Sequence, residues 1–336
     1  MAGAGASFAE VDTPHGLAKR MLVKGYCGGL FGRELELTKF RNLSGRNYCV
    51  QYVDAFSWRG EYGGPNTRSI NMEEDGEEDI ARMGSPIIAL DRGLDRCQEM
   101  AKRSYRFPYP ILLAIHFVFN DINHDNISNL KKLVKEWLHK YNWEQEIENI
   151  DGLENENSKS KSYLWRYIPM KHEGKSWLIR TTFVTGKFEH LILPENARKT
   201  FSLIDPCGIK QIPFEAVKRF LGPGKEVFIN LMVWTIRRSS ANPKHIKCIQ
   251  KLFGDPEADI VIRSFDKCQE GTCMDAPTCC TKQAYRNYVE FYSHIIGSEF
   301  SAEAVHFLFS KGKKDKDVGD QFYMVYLSSD MDLKQV

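Results

Sequence analysis

Asn47–Gly64 reads NYCVQYVDAFSWRGEYGG. Its first half is β-branched and aromatic, it reaches a carboxylate at Asp54, and it then passes into a loop carrying Gly60, Gly63 and Gly64. This is the pattern of a strand running into a glycine-bearing turn. Open α/β sheets bind nucleotide-like ligands in that position, outside the carboxyl ends of their strands. The stretch therefore predicts the first strand of an α/β sheet, with further strands and helices added downstream.

Those additions can be read in order. Gly84-Ser85-Pro86 opens a helix running to about Tyr105, with Ser85 as N-cap, Pro86 in the first turn and Ile87, Ile88, Leu90 and Leu94 on its apolar face. Ile111–Phe119 is a continuous apolar run, the signature of a strand covered on both faces, and it ends in Asn120-Asp121-Ile122-Asn123. Asp121 there either accepts hydrogen bonds from ribose hydroxyls or makes a local Asx turn or helix cap. Asn126–Tyr141 has the apolar spacing of an amphipathic helix. Trp177–Val184 and Phe201–Ile204 are the next strands, the second delivering Asp205-Pro206-Cys207-Gly208, and Glu226–Thr235 is a fifth, followed by Arg237 and Arg238. Val305–Phe309 and Phe322–Ser328 make a closing antiparallel hairpin. Ahead of the first strand, Gly28 and Gly29 are expected to interrupt two helical pieces between Pro14 and Leu37.

With 336 residues, 42% of them hydrophobic, the chain has the material for one large core. The reading is a single domain over 13–330, preceded by a disordered 1–12, with insertions near 66–82, 142–162 and 266–281. The first insertion holds six carboxylates in Asn71–Asp79, either a solvated loop or a metal- or partner-contacting one. The second is polar and expected to be mobile. The third carries Cys268, Cys273, Cys279 and Cys280, whose spacing fits zinc ligation poorly and leaves either a metal site or free thiols. No residues are assigned to a resident metal.

A formal net charge of +2 does not indicate a globally basic nucleic-acid binder. The apolar runs Pro110–Phe119 and Val227–Ile236 are about half the roughly 20 residues that a membrane-spanning helix needs. The first residues lack the pattern of a signal peptide, and the scattered cysteines suit reduced thiols, so the cytoplasm or nucleus is expected and a membrane partner is not.

The blocks YVDAFS at 52–57, GSPIIAL at 84–90, FSLIDPCG at 201–208 and FYMVYLSS at 322–329 together resemble the three-Cys-motif partner proteins. That family is methyltransferase-like, and the resemblance spans about Gly16 to Ser329. It implies a Rossmann-like class I methyltransferase fold: a mostly parallel seven-stranded sheet, a C-terminal antiparallel hairpin and helices on both faces. It also implies S-adenosylmethionine as cofactor. On this reading Asp54, Phe56, Gly60 and Gly63 hold the methionine portion, Asp121 the ribose, and Lys187 and Phe188 stand at the strand-three turn. Asp205 with Pro206 would orient the acceptor or take its proton. Cys207 is either a nucleophile or a small core-facing residue, and no activator of a thiolate is apparent nearby in sequence.

The chain departs from the family pattern where Ser57, Trp58 and Arg59 intervene before Gly60, at Asn120 where a glutamate is usual, and at Lys187 where an aspartate is usual. Two functions follow. One is an S-adenosylmethionine-dependent methyltransferase acting on nucleic acid or another large acceptor such as a protein; the other is a catalytically inactive protein of the same fold that serves as a binding or adaptor module. A nicotinamide-dependent dehydrogenase is disfavoured, because no G-x-G-x-x-G follows the first strand.

Overall fold

The computed structural model describes residues 14–37, 48–60, 83–103, 111–150, 158–167, 176–193, 197–266, 276–300, 303–309 and 322–328. The expected disordered 1–12, the acidic segment 71–79, Gly63, Gly64, Cys268 and Cys273 lie outside them. The chain divides into two compact units, Met1–Lys187 with Leu191–Thr200, and Phe188–His190 with Phe201–Val336.

The first unit opens with helix α1, Pro14–Leu37. It is one helix and not the two pieces that Gly28 and Gly29 predict. Two glycines cost a helix about 1 kcal/mol each against alanine. Burial of Val23, Cys27, Leu30, Phe31 and Leu35 along one face offsets that cost, and Phe31 meets Phe117 edge-on at 6.0 Å.

Strand β1 is Tyr48–Asp54, helix α2 is Ser85–Arg103, strand β2 is Ile111–Asp121 and helix α3 is His124–Lys140. Helix α2 lies close on β2, because Gly93 has no side chain: a Cβ there would stand 2.6 Å from Phe117 Cζ. Helix α3 starts at Asn123, whose side chain accepts the Asp125 N–H, and buries Ile127, Leu130, Val134, Trp137 and Leu138 at helical spacing.

The predicted mobile stretch at 142–162 instead contributes β3, Glu144–Ile150, and the start of β4, Ser158–Tyr167. Its few large side chains are strong anchors. Trp143 is fully buried and lies 5.4 Å from the Tyr167 ring, and Trp165 Nε1 donates to Thr181 Oγ1. Strand β5 is Ser176–Gly186. Next comes β6, Ala197–Ile204, of which residues 197–200 belong to this unit.

Strand order in the first unit is β3-β4-β5-β2-β1-β6. Strands β1 and β2 pair in parallel, as do β2 and β5, whereas β3 with β4 and β4 with β5 are antiparallel. The sheet is therefore mixed and not the mostly parallel seven-stranded one that the resemblance implies: the polar stretch after α3 supplies β3 at the sheet edge and the start of β4, which is paired on both sides. Leaving out β3 and β4, the run β5-β2-β1-β6 follows the doubly wound order 3-2-1-4.

The second unit holds the rest of β6, a short helix α4, Phe214–Lys218, and strand β7, Lys225–Leu231. Helices α5, Val233–Ser240, α6, Ile246–Phe253, α7, Ala258–Asp266, and α8, Ala276–Phe300, precede the hairpin β8, Glu303–Phe309, and β9, Phe322–Ser328. Strand order here is β6-β7-β9-β8, with β9 antiparallel to both neighbours. The predicted fifth strand stops at Leu231, four residues early. From Val233 onward the buried positions Val233, Ile236, Ser239 and Ser240 recur at helical spacing, so Arg237 and Arg238 end a helix, where cations complement its dipole.

Candidate functional site

Asp54 ends β1, and Asp121 ends the neighbouring parallel strand β2, with Asp54 in register opposite Phe119. The turn after Asp54 is tied to β2 residue by residue. Ser57 donates its N–H (2.8 Å) and its hydroxyl (3.0 Å) to the Asn120 carbonyl, while Asn120 Nδ2 returns a bond to the Ala55 carbonyl at 2.9 Å. Trp58 N–H then donates to Asp121 Oδ2 at 3.2 Å. Trp58 has a φ of 51°, a conformation uncommon outside glycine, and these bonds hold it there.

Asp54 itself is fully buried. Its Oδ2 accepts from Ser85 Oγ (2.6 Å) and Tyr52 OH (3.2 Å), and its Oδ1 accepts from Phe56 N–H (3.3 Å). Burial first, and the Asp54 charge second, push the Cys27 thiol and the Tyr52 phenol well above their ordinary values, so both stay protonated. Ser85 was expected to cap α2; its hydroxyl goes to Asp54 instead. The carbonyl of Gly84 starts the helix, accepting from Ile87 and Ile88.

Gly60 is required by packing. Its φ is 81°, a Cβ would stand 2.4 Å from Leu130 Cδ1, and its carbonyl accepts the Gly84 N–H at 2.8 Å. Leu130, Ile87 and Leu133 thus fill the space on the Cβ side of Gly60. Asp121 is 7% exposed: Oδ1 accepts from Asn123 N–H (2.7 Å) and Asn126 Nδ2 (3.2 Å), and Oδ2 only from Trp58 among the described residues. A carboxylate has about four lone-pair sites, so Oδ2 keeps capacity for one more donor. In the same turn and next in sequence, Trp58 and Ile122 are exposed at 37% and 62%. Asn120 Oδ1 is buried without a hydrogen-bond partner among the described residues.

Lys187, the last residue of the first unit's main segment, is exposed. In the second unit Phe188 is a core residue stacked on Phe220 at 5.0 Å. Asp205, half-buried after β6, accepts from Asn230 Nδ2 at 2.6 Å. Pro206 is buried, and the turn is closed by Gln211 Oε1, which accepts the N–H groups of Cys207 (2.8 Å) and Gly208 (3.1 Å). Cys207 is exposed, which removes the core-facing alternative. Cys279 and Cys280 fall in α8. No group of three His, Cys, Asp or Glu side chains that could hold a metal occurs among the described residues. None of the described helices is long and apolar enough to cross a membrane.

Sequence reading gave Tyr52 no role, took Ser85 for a helix cap and Trp58 for an intervening residue, and so missed their part in holding Asp54 and Asp121. The first was signalled, since residues two apart on a strand share a face and Tyr52 stands two before Asp54.

No family model matches the chain, and no curated protein matches it. Among solved structures it is similar to Trm1 from Pyrococcus horikoshii in complex with S-adenosyl-L-methionine, at 11% identity and a TM-score of 0.35, over 92% of this chain and 54% of that one. The chain thus spans about half the length of that structure. A likeness of this size has no bearing on activity. No family model or curated protein connects the chain with the three-Cys-motif partner family.

Proposed function

We propose that the first unit binds the adenosyl part of S-adenosylmethionine at the carboxyl ends of β1 and β2, in a methyltransferase-like protein whose acceptor is a nucleic acid or another protein. The observation that carries this is the cluster Trp58, Asp121 and Ile122. It offers a carboxylate oxygen that accepts the Trp58 backbone N–H and keeps acceptor capacity for a ribose hydroxyl, in a turn where Trp58 and Ile122 are exposed and available to a flat base. The doubly wound strand order supports the same place.

The nucleoside end fits and the methionine end does not. Asp54 is buried with its oxygens engaged, and Gly60 packs against Leu130, so neither residue is assigned to the methionine portion. Phe56 N–H, committed to Asp54, is not assigned to it either. When bound, the cofactor supplies an electrophilic methyl group, and the protein's part is positioning. On the acceptor side the resemblance assigns Asp205, which Asn230 orients in the second unit.

The engaged state of Asp54 and Gly60 also favours a second reading, a catalytically inactive protein of methyltransferase fold that binds a nucleoside or a partner as an adaptor. Equilibrium titration separates the two. Binding of S-adenosylmethionine tighter than adenosine, followed by methyl transfer to added RNA or protein, supports the enzyme. Equal affinity for adenosine and S-adenosylmethionine with no transfer supports the adaptor, and no binding of either removes the proposal.

A further inference from the structure

The second unit contains a cleft of 670 Å³ between the 3-10 turn Phe188–His190, helix α4 and helix α6. Gly254, left-handed at a φ of 69°, ends α6 against Phe214, where a Cβ would stand 2.3 Å from Cδ1; this close approach shapes one wall. Three cations and three carboxylates line it: Arg219, Lys247 and Lys251, and Glu189, Glu215 and Asp255. The count is balanced, but the engagement is not.

Each carboxylate already has a neighbour. Glu215 pairs with Lys218 at 3.1 Å, Asp255 Oδ1 accepts the Glu257 N–H at 2.8 Å, and Glu189 lies 3.7 Å from His190 Nε2. Lys247 and Lys251 stand four residues apart on one face of α6, and neither has an acidic partner among the described residues. Arg219 is held by the carbonyls of Phe188 (3.2 Å) and Glu189 (2.7 Å) through Nη2, with no carboxylate hydrogen bond among the described residues. Partial burial lowers its pKa, against the opposing effect of the Glu189 charge. Pro213 and Ala216 supply an apolar wall.

We propose that this cleft is a binding site for a phosphate-bearing organic molecule, its phosphate held by Lys247, Lys251 and Arg219 and its organic part lying on Pro213 and Ala216. Directional N–H donors together with two mobile ammonium groups suit a phosphate's tetrahedral oxygens, and the volume is that of a small-ligand pocket. The phosphate belongs either to a free nucleotide or to a nucleic-acid strand. This inference rests on the second unit alone and stands apart from the nucleoside proposal.

The test is calorimetric titration of the full chain and of two double variants, Lys247→Ala with Lys251→Ala and Lys247→Arg with Lys251→Arg, with circular dichroism as a check on folding. Probes are adenosine monophosphate, adenosine and a short single-stranded oligoribonucleotide. Affinity for adenosine monophosphate is expected to fall about tenfold in the alanine variant and to persist in the arginine variant, with adenosine unaffected. If only the oligoribonucleotide binds the parent chain, with the same loss in the alanine variant, the phosphate is that of a strand. Equal binding of both phosphate probes to parent and alanine variant overturns the proposal, as does absence of binding by both.

Discussion

The end of β1 and the end of β6 each set an aspartate after a buried strand, and the surroundings of the two are unlike. Asp54 is fully buried, with Ser85, Tyr52 and the Phe56 N–H on its oxygens, so it organises the turn and α2 from inside. Asp205 is half-buried, aligned by Asn230 and followed by an exposed Cys207. The same sequence signal, an acid at a strand end, thus has two outcomes. What separates them is whether neighbouring elements bring donors to the carboxylate, and only Tyr52 among Asp54's donors was visible from local spacing.

The largest effect should come from breaking the turn that follows the buried aspartate. Gly60→Ala puts a methyl group into Leu130 at a positive φ and should destabilise by about 2–4 kcal/mol, read as a lowered urea midpoint. Asp54→Ala comes next. It removes an acceptor from the buried Tyr52 hydroxyl and the half-buried Ser85 hydroxyl and should cost about 2–3 kcal/mol, whereas Asp205→Ala should change stability by less than about 1 kcal/mol. Equal costs at the two aspartates would erase the distinction between them.

A smaller effect sharpens the interior of the first unit. His116 is fully buried, its ring nitrogens near Gln51 Nε2 (3.3 Å) and Thr182 Oγ1 (2.8 Å), and burial followed by the Arg180 charge lowers its pKa well below 6.5. The unfolded chain then binds the extra proton first. His116 stabilisation is full above the unfolded value and is lost as pH falls from about 6.5 toward the folded value, at up to about 1.4 kcal/mol per pH unit. Urea midpoints should therefore drop between about pH 7 and about pH 5, and His116→Gln should flatten that dependence. An unchanged slope in the variant would show that other groups carry it.

Much of the central sheet could be read from the sequence because its strands are unbroken apolar runs: Ile111–Phe119 lies within β2, and Phe322–Ser328 is β9. Strands β3 and β4 escaped notice because Trp143, Tyr163 and Trp165 stand among charged and polar residues, so edge pairing is decided by a few anchors and not by alternation. The break at Leu231 escaped because a buried helix and a buried strand look alike over a short apolar run. At the site, Asp121 was singled out for the right position. Its engagement with Asn123 and Asn126 belongs to the local turn, however, and the oxygen facing Trp58 is what the nucleoside proposal uses.

The smallest perturbation concerns Trp58. Its indole is 37% exposed, whereas Trp234 is half-buried with its Nε1 shielded and Trp137, Trp143, Trp165 and Trp177 are buried, so the red edge of the emission should come mainly from Trp58 and should be quenched by a bound base. Trp58→Phe should abolish the quench with a change in stability below about 1 kcal/mol.

The central claim is tested most directly by isothermal titration of the full chain with S-adenosylmethionine. Saturable binding that adenosine competes away, and that weakens about tenfold in Trp58→Ala, is the predicted result. No binding, or binding that Trp58→Ala and adenosine leave unchanged, would contradict it.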